Sequence, residues 1–284
     1  MKIIREPKVY LIGKQQIDHE GLYEFLEDHN VSNWTTDTEV AGEKLAEING
    51  RLCYTSYSKP RPGGNSKYLE HIKQSNHGSV IEHATWSFII TNVSRALTHE
   101  LVRHRAGTAF SQLSQRYVDE SVAEYVEPDV IAEDQECHSI WEEAVKQSHD
   151  AYVKLSSILY LKELQQVVSN RLGMTASSSD SVTDLEKRIG DIETKTACRK
   201  AARQAARSVL PNATETKIGF TANARTLRHF IEMRASRHAD VEIRKVAVQI
   251  LKIMQREAPN LFNDYKLVSL DDGTFEATTP YRKV

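Results

Sequence analysis

Twice along this chain, a stretch that can form a strand runs straight into a segment of helical periodicity crowded with arginine and histidine. In "ATWSFIIT" (84–91) Trp86, Phe88 and Ile90 share one side and Thr85 and Ser87 the other, the period of a half-buried strand. "TNVSRALTHELVRHRAG" follows, with Asn92 or Ser94 as a helix N-cap and Gly107 as its stop, so a strand feeds a helix whose far end carries Arg103-His104-Arg105. The second case is "TETKIGFT" (214–221), a strand, followed by "NARTLRHFIEMRASRHADVEIRKVAVQILKIM", one long helix starting at or near Asn223. A chain with two such junctions needs a sheet with helices packed on it.

The remaining elements fit around these junctions. "KVYLIG" (8–13) reads as a strand, 37–57 as a helix ending near Cys53, "SKPRPGGNSK" (58–67) as a loop and "YLEHIKQSNHGS" as a short helix. A long helix is expected over 138–172, a Ser/Thr-rich surface loop over 175–184, and a further helix over 184–210 that ends before Pro211. In that last helix Cys198, Ala202, Ala205, Ala206 and Val209 form an apolar stripe, beside an i, i+4 row of Lys195, Arg199, Arg203 and Arg207. No internal repeat is visible.

With 284 residues, 40% of them hydrophobic, the chain can bury a full core, as one domain over 1–284 or one domain plus an insertion. A net charge of −2 gives no global field toward nucleic acid, so any anion recognition must be local. Three widely spaced cysteines (Cys53, Cys137, Cys198) fit neither a disulfide framework nor a CxxC metal site. The opening "MKIIREPKVY" lacks the apolar stretch of a signal peptide, and no apolar run approaches a membrane span, so a soluble cytoplasmic protein is expected.

"HELVRHRAG" superficially resembles a zinc-protease helix, but His99 and His104 are five apart where a zinc helix needs four. Taken as helical, they stand about 140° apart around the axis and cannot share a metal. Glu100, Arg103 and His104 do lie within i+3 and i+4 reach, and "SQLSQRY" adds Ser111, Gln112, Ser114, Gln115 and Arg116. Arginine's rigid fork suits phosphate and carboxylate, and small hydroxyl and amide groups complete a nucleotide pocket. A solvated charged face is the plain alternative for either run alone; two runs after two strands favour a polyanionic ligand. In the second helix Leu227, Phe230, Ile231, Arg234, His238 and Val241 share one stripe, which puts cations where the core should be. A buried guanidinium needs a bound anion or a partner carboxylate such as an internal glutamate.

These segments resemble the flavin-dependent thymidylate synthases over nearly the whole chain, most strongly in "CYTSYSKP", "HGSVIEHATWSF", "THELVRHR", "SQLSQRY" and "LPNATETKIGFTANARTLRHFIEMRASRHADVEIR". The family motif is Arg-His-Arg followed at a set distance by Ser-x-Arg, matched by Arg103-His104-Arg105 and Ser114-Gln115-Arg116. The gap "AGTAFSQL" holds eight residues where the family has about seven, and the surplus falls in the turn around Gly107. A stretch near 163–195 has the character of an insertion.

The resemblance implies an α/β (α+β) fold, a small mixed or antiparallel sheet flanked by long helices. It also implies C5 methylation of dUMP with FAD, NADPH and 5,10-methylenetetrahydrofolate, in a homotetramer with shared sites. Ser79, Glu82, Arg103, His104, Arg105, Gln112, Asn223, Arg225, His229 and His238 match FAD-contacting positions, and Glu100, Arg103, Gln112, Leu113, Ser114, Gln115, Arg116, Arg207 and Arg234 match the dUMP side. His77 and His83 lie near the flavin segment by the same resemblance.

None of the three cysteines lies in the motif that classical thymidylate synthases use to attack C6 of uracil. Activation of C5 then falls to Arg234, the match to the residue credited with promoting N3 ionisation, as a cation stabilising the enolate. Ser114 has no base beside it in sequence, so a hydrogen bond to phosphate, with Arg116 and Arg207 as charge partners, is preferred over nucleophilic attack. Between two arginines His104 is expected to stay neutral and hydrogen-bond the flavin. C5 modification of UMP by the same chemistry is the alternative within the family. A nucleic-acid-binding helical protein using the 195–207 row ranks below both, because that row lacks stacking aromatics.

Overall fold

The computed structural model describes residues 2–59, 62–173, 175–177 and 179–284. Pro60 and Arg61, in the expected 58–67 loop, and Met174 and Ser178, in the expected insertion, lie outside the described residues. The strands are β1 (Lys2–Ile4), β2 (Lys8–Lys14), β3 (Thr85–Ser94), β4 (Thr108–Gln112), β5 (Glu124–Val126), β6 (Glu215–Asn223), β7 (Lys266–Ser269) and β8 (Phe275–Thr278). The chain divides into two compact units, and the fold is mixed α/β with small sheets and long helices.

The larger unit comprises Glu6–Val93, Leu97–Ser111 and Lys217–Val284. It is built on a four-stranded sheet of order β2-β3-β6-β4, with β2 and β3 antiparallel and a bulge between Leu11 and Gly13. Alternation along β3 buries Trp86, Phe88 and Ile90, and β6 buries Ile218, Phe220 and Ala222 in the same core. Onto it pack Leu227, Phe230 and Ile231 of the Ala224–Arg234 helix and Ile243, Val246, Ala247, Ile250, Leu251 and Met254 of the Val241–Glu257 helix. The second set keeps i, i+3, i+4, i+7 spacing, and each full burial of a large aliphatic side chain contributes about 1.5–3 kcal/mol.

The smaller unit comprises residues 2–5, 94–96 and 112–216. Its frame is the 32-residue Gln135–Gln166 helix, against which the Ile192–Ala206 helix packs. A local core gathers Leu164, Val168, Leu185 and Cys198, and β1 and β5 of the same unit pair in parallel. Among the described residues no helix is long and apolar enough to cross a membrane. All three cysteines are free.

Several expected helices are shorter than their periodicity suggested. The 37–57 helix covers Ala41–Cys53, and the next, Gly64–Gln74, begins inside the expected 58–67 loop. The 138–172 helix gives way to a wider turn over Val167–Arg171. The 184–210 helix is two, Val182–Ile189 and Ile192–Ala206, because Gly190 turns left-handed (φ +67°) and Asp191 caps the second by accepting from the Glu193 and Thr194 amides. Its stripe is narrower than expected: Cys198, Ala202 and Ala206 are buried, but Ala205 is exposed.

The helix expected to run from Asn223 through Met254 also breaks. It starts as expected, with Asn223 as N-cap, but stops at Arg234; the Ala277 amide of β8 takes the Ala235 carbonyl (2.7 Å), and Asp240 caps a new helix at Val241. His238 therefore sits exposed in the turn rather than in the core stripe. Arg234, at the helix end, is about one quarter exposed. The interred cation of this helix is Arg228, 2% exposed and paired with Asp264 through both terminal nitrogens (2.8 and 2.9 Å).

Candidate active site

The first strand-to-helix junction is tighter than the sequence pattern implied. Ser94 is still strand, and the helix covers only Arg95–Leu101. It closes with the Arg103 and His104 amides donating to the Glu100 and Leu101 carbonyls, so Arg103-His104-Arg105 forms a turn beyond the helix. His99 and His104 are thus not even on one helix.

This turn lies against the second junction, inside the larger unit. The Asn223 amide donates to the Gly107 carbonyl (3.2 Å), Thr226 Oγ1 donates to the Ala106 carbonyl (2.7 Å), and the Asn223 side chain accepts from the Thr226 amide (2.9 Å). Gly107 is left-handed (φ +67°), and a Cβ there would fall 2.4 Å from Asn223 Nδ2. Between the two junctions opens a cavity of about 660 Å³, within the range of small-molecule and cofactor sites.

Four side-chain cations line it, Arg103, Arg105, Arg225 and Lys283, against one side-chain carboxylate, Glu82. Glu82 is spent on Arg225 (2.6 Å), whereas Arg103, Arg105 and Lys283 have no carboxylate partner among the described residues. His104 is half-buried, and burial first, then the Arg234 charge, then His229, pushes its pKa down to about 4. It is neutral as expected from sequence, but through burial and Arg234, not through the arginines flanking it in the chain. Its Nε2 accepts a hydrogen bond from Arg234 Nε (3.0 Å), which leaves the ring proton on Nδ1. Arg234 Nη1 donates to Glu100 Oε2 (2.6 Å). The cation that periodicity placed in the core thus has a carboxylate of its own chain and a second neighbour on the cavity wall.

Of the expected flavin positions, Glu82, Arg103, His104, Arg105, Asn223, Arg225 and His229 line this one cavity. Ser79 lies in the short Gly78–Ile81 helix, and His238 is exposed beyond the Ala224–Arg234 helix; neither is on the cavity wall. Of the expected nucleotide positions, Glu100, Arg103 and Arg234 belong to the larger unit, and Gln112, Leu113, Ser114, Gln115, Arg116 and Arg207 to the smaller. In the smaller unit Ser114 Oγ accepts from the Arg116 amide (3.4 Å), Arg116 Nη1 donates to Gln204 (3.2 Å) and Gln112 Nε2 to Thr216 Oγ1 (3.4 Å). Gln115 is buried, with its Nε2 lacking a hydrogen-bond partner, the kind of polar atom a ligand satisfies.

A family model described as "Thymidylate synthase complementing protein" matches residues 36–260. The chain is 45% identical over 249 residues to the flavin-dependent thymidylate synthase of Mycolicibacterium gilvum, covering 87% of this chain and 88% of that one. It is 42% identical over 250 residues to the enzyme of that name from Corynebacterium glutamicum, covering 87% and 89%. The chain belongs to the flavin-dependent thymidylate synthase family. Its fold is also that of a UMP/dUMP methylase, PolB from Streptomyces cacaoi, solved with 5-Br dUMP (TM-score 0.55, 17% identity, 93% of this chain and 96% of that one).

The donor set fits the flavin that gives these synthases their name. A surplus of cations suits a nucleotide's phosphates, the neutral His104 offers a ring N–H, and the left-handed Gly107 brings backbone close to the cavity. Ala106, Gly107, Thr226, Lys283 and Val284 also line it without having been singled out from sequence. Thr226 was within reach, being the residue an N-cap at Asn223 holds. Lys283 and Val284 carry no local signal and arrive by topology alone. Arg95, likewise not singled out, is half-buried in the smaller unit, where burial pushes its pKa down, Glu120 opposes this and the Arg207 charge adds to it.

Proposed function

We propose that this chain methylates dUMP at C5 to give dTMP, with FAD in the cavity of the larger unit, NADPH as reductant and 5,10-methylenetetrahydrofolate as one-carbon donor. The observation that carries this is Arg234: it donates to Glu100 and to neutral His104 of the cavity wall, and its Nη2 makes no hydrogen bond among the described residues. Two of its nitrogens fix the guanidinium plane and Nη2 remains for substrate.

C5 of uracil is a poor nucleophile. A fixed cation beside N3 and O4 stabilises the enolate form, placing electron density on C5 without a covalent bond to protein. Glu100 holds that cation in place, and His104, being uncharged, adds no repulsion to it. Arg103, Arg105 and Arg225 bind phosphate, and Asn223 and His229 orient the ring system. Bound flavin supplies reducing equivalents to the transferred carbon. Ser114, Arg116 and Arg207, with Gln112, Leu113 and Gln115, bind the nucleotide's phosphate and sugar. Assembly as a cytoplasmic homotetramer belongs to the same reading.

The test is incubation with dUMP or UMP, NADPH and methylenetetrahydrofolate, followed by mass analysis of the nucleotide. Conversion of dUMP to a product heavier by one methylene unit is expected. Conversion of UMP alone transfers the reading to the ribonucleotide, and no conversion of either, in protein that holds flavin, overturns it.

A further inference from the structure

We propose that Lys283 is an additional contact for the diphosphate of the flavin nucleotide, held at the cavity rim by the last residues of the described chain; this rests on the flavin reading of the cavity. Lys283 and Val284 line the cavity yet lie outside residues 36–260, the span the family model matches.

Three features distinguish Lys283 from an ordinary surface lysine. Its backbone is left-handed (φ +59°), a conformation that strains a residue with a side chain and persists only where its surroundings enforce it. The enforcement is visible on both sides: the Lys283 amide donates to Glu232 Oε2 (3.0 Å), and the Val284 carbonyl accepts from Arg225 Nε (3.3 Å) with Val284 itself buried. Room for this segment is left at Gly78, where a Cβ would fall 2.6 Å from the Val284 carbonyl carbon and 2.7 Å from Arg225 Nε. Second, Glu232 is engaged by the Lys283 amide and by Arg282, and Glu82 by Arg225, and no side-chain carboxylate pairs with the Lys283 ammonium among the described residues. Third, it shares the cavity with Arg103 and Arg105, which also lack carboxylate partners. Three uncompensated cations around one cavity suit a diphosphate better than a neutral ring.

Purified protein is titrated with FAD and with riboflavin, which has no phosphate, and Kd is read from flavin fluorescence. Lys283→Met is expected to weaken FAD about three- to tenfold, the scale of one rim charge contact, and to leave riboflavin binding and Tm unchanged. Lys283→Arg, which keeps the charge, is expected to bind FAD as the unaltered protein does. FAD binding by Lys283→Met equal to that of the unaltered protein, or an equal loss for riboflavin, overturns the proposal while leaving the flavin reading intact. Failure of the unaltered protein to bind FAD overturns the flavin reading itself.

Discussion

In the smaller unit, arginines of the Ile192–Ala206 helix are met by carboxylates: Arg199 by Glu186 (2.6 Å) and Arg203 by Asp119 (2.8 Å). In the larger unit Arg103 and Arg105 face a cavity whose one lining side-chain carboxylate is committed to Arg225. Arg228, in the same unit, is a third case, interred with Asp264, Lys73 and two backbone carbonyls around it. Similar side chains thus do three jobs, set by where the anions are: solvated pairs contribute little, a buried pair holds the fold, and cations without a carboxylate are available to a ligand.

The largest effect is expected at the buried pair. Asp264→Ala leaves Arg228 and Lys73 buried without their anion and should cost about 3–5 kcal/mol in denaturant unfolding; a loss below 1 kcal/mol would erase the distinction from the surface pairs. Burial pushes the Asp264 pKa up, but Arg228 and Lys73 outweigh it and hold it at about 2, below the ordinary 3.8. A depressed carboxylate stabilises the fold above its unfolded pKa, so this contribution is complete above about pH 4 and drains away as pH falls toward 2.

Next comes Arg234→Ala, which should lower kcat about 10²- to 10³-fold, as loss of a fixed transition-state donor does, with flavin still bound. Full turnover in that variant removes Arg234 from the mechanism. A smaller, pH-dependent effect belongs to His104. Its folded pKa of about 4 lies below the ordinary 6.5, so the unfolded chain binds this proton more readily. Its contribution is complete above pH 6.5 and is lost as pH falls to about 4; an NMR titration placing this imidazole near 6.5 would contradict the buried contact with Arg234. The smallest effect is at the solvated end of the row, where Arg199→Ala should cost less than about 1 kcal/mol.

Much of the frame was legible before any coordinates. Strict alternation marked β3, the segment 214–221 was read as a strand that became β6, and the Asn223 cap marked where the second helix begins. The Arg103-His104-Arg105 cluster pointed to the cavity it lines. The break after Arg234 was not legible, because Arg234 and His238 stay in phase with Leu227, Phe230 and Ile231 while the hydrogen bond that ends the helix comes from Ala277, on a distant strand. The same holds for the buried cation. Periodicity nominated Arg234, but Asp264 lies against Arg228, and no local pattern reports the position of a carboxylate so far along the chain. Lys283 is the extreme case, placed at the cavity solely by the fold's closure.

The most direct test sets one arginine of the cavity against one of the row. FAD Kd is measured by fluorescence titration for Arg103→Met and Arg199→Met side by side, each removing one guanidinium. Arg103→Met should weaken binding about tenfold, the loss of one charge-assisted contact, while Arg199→Met leaves it unchanged. Equal losses in the two variants, or a loss confined to Arg199→Met, would contradict the claim that the cations without a carboxylate in the larger unit hold the flavin.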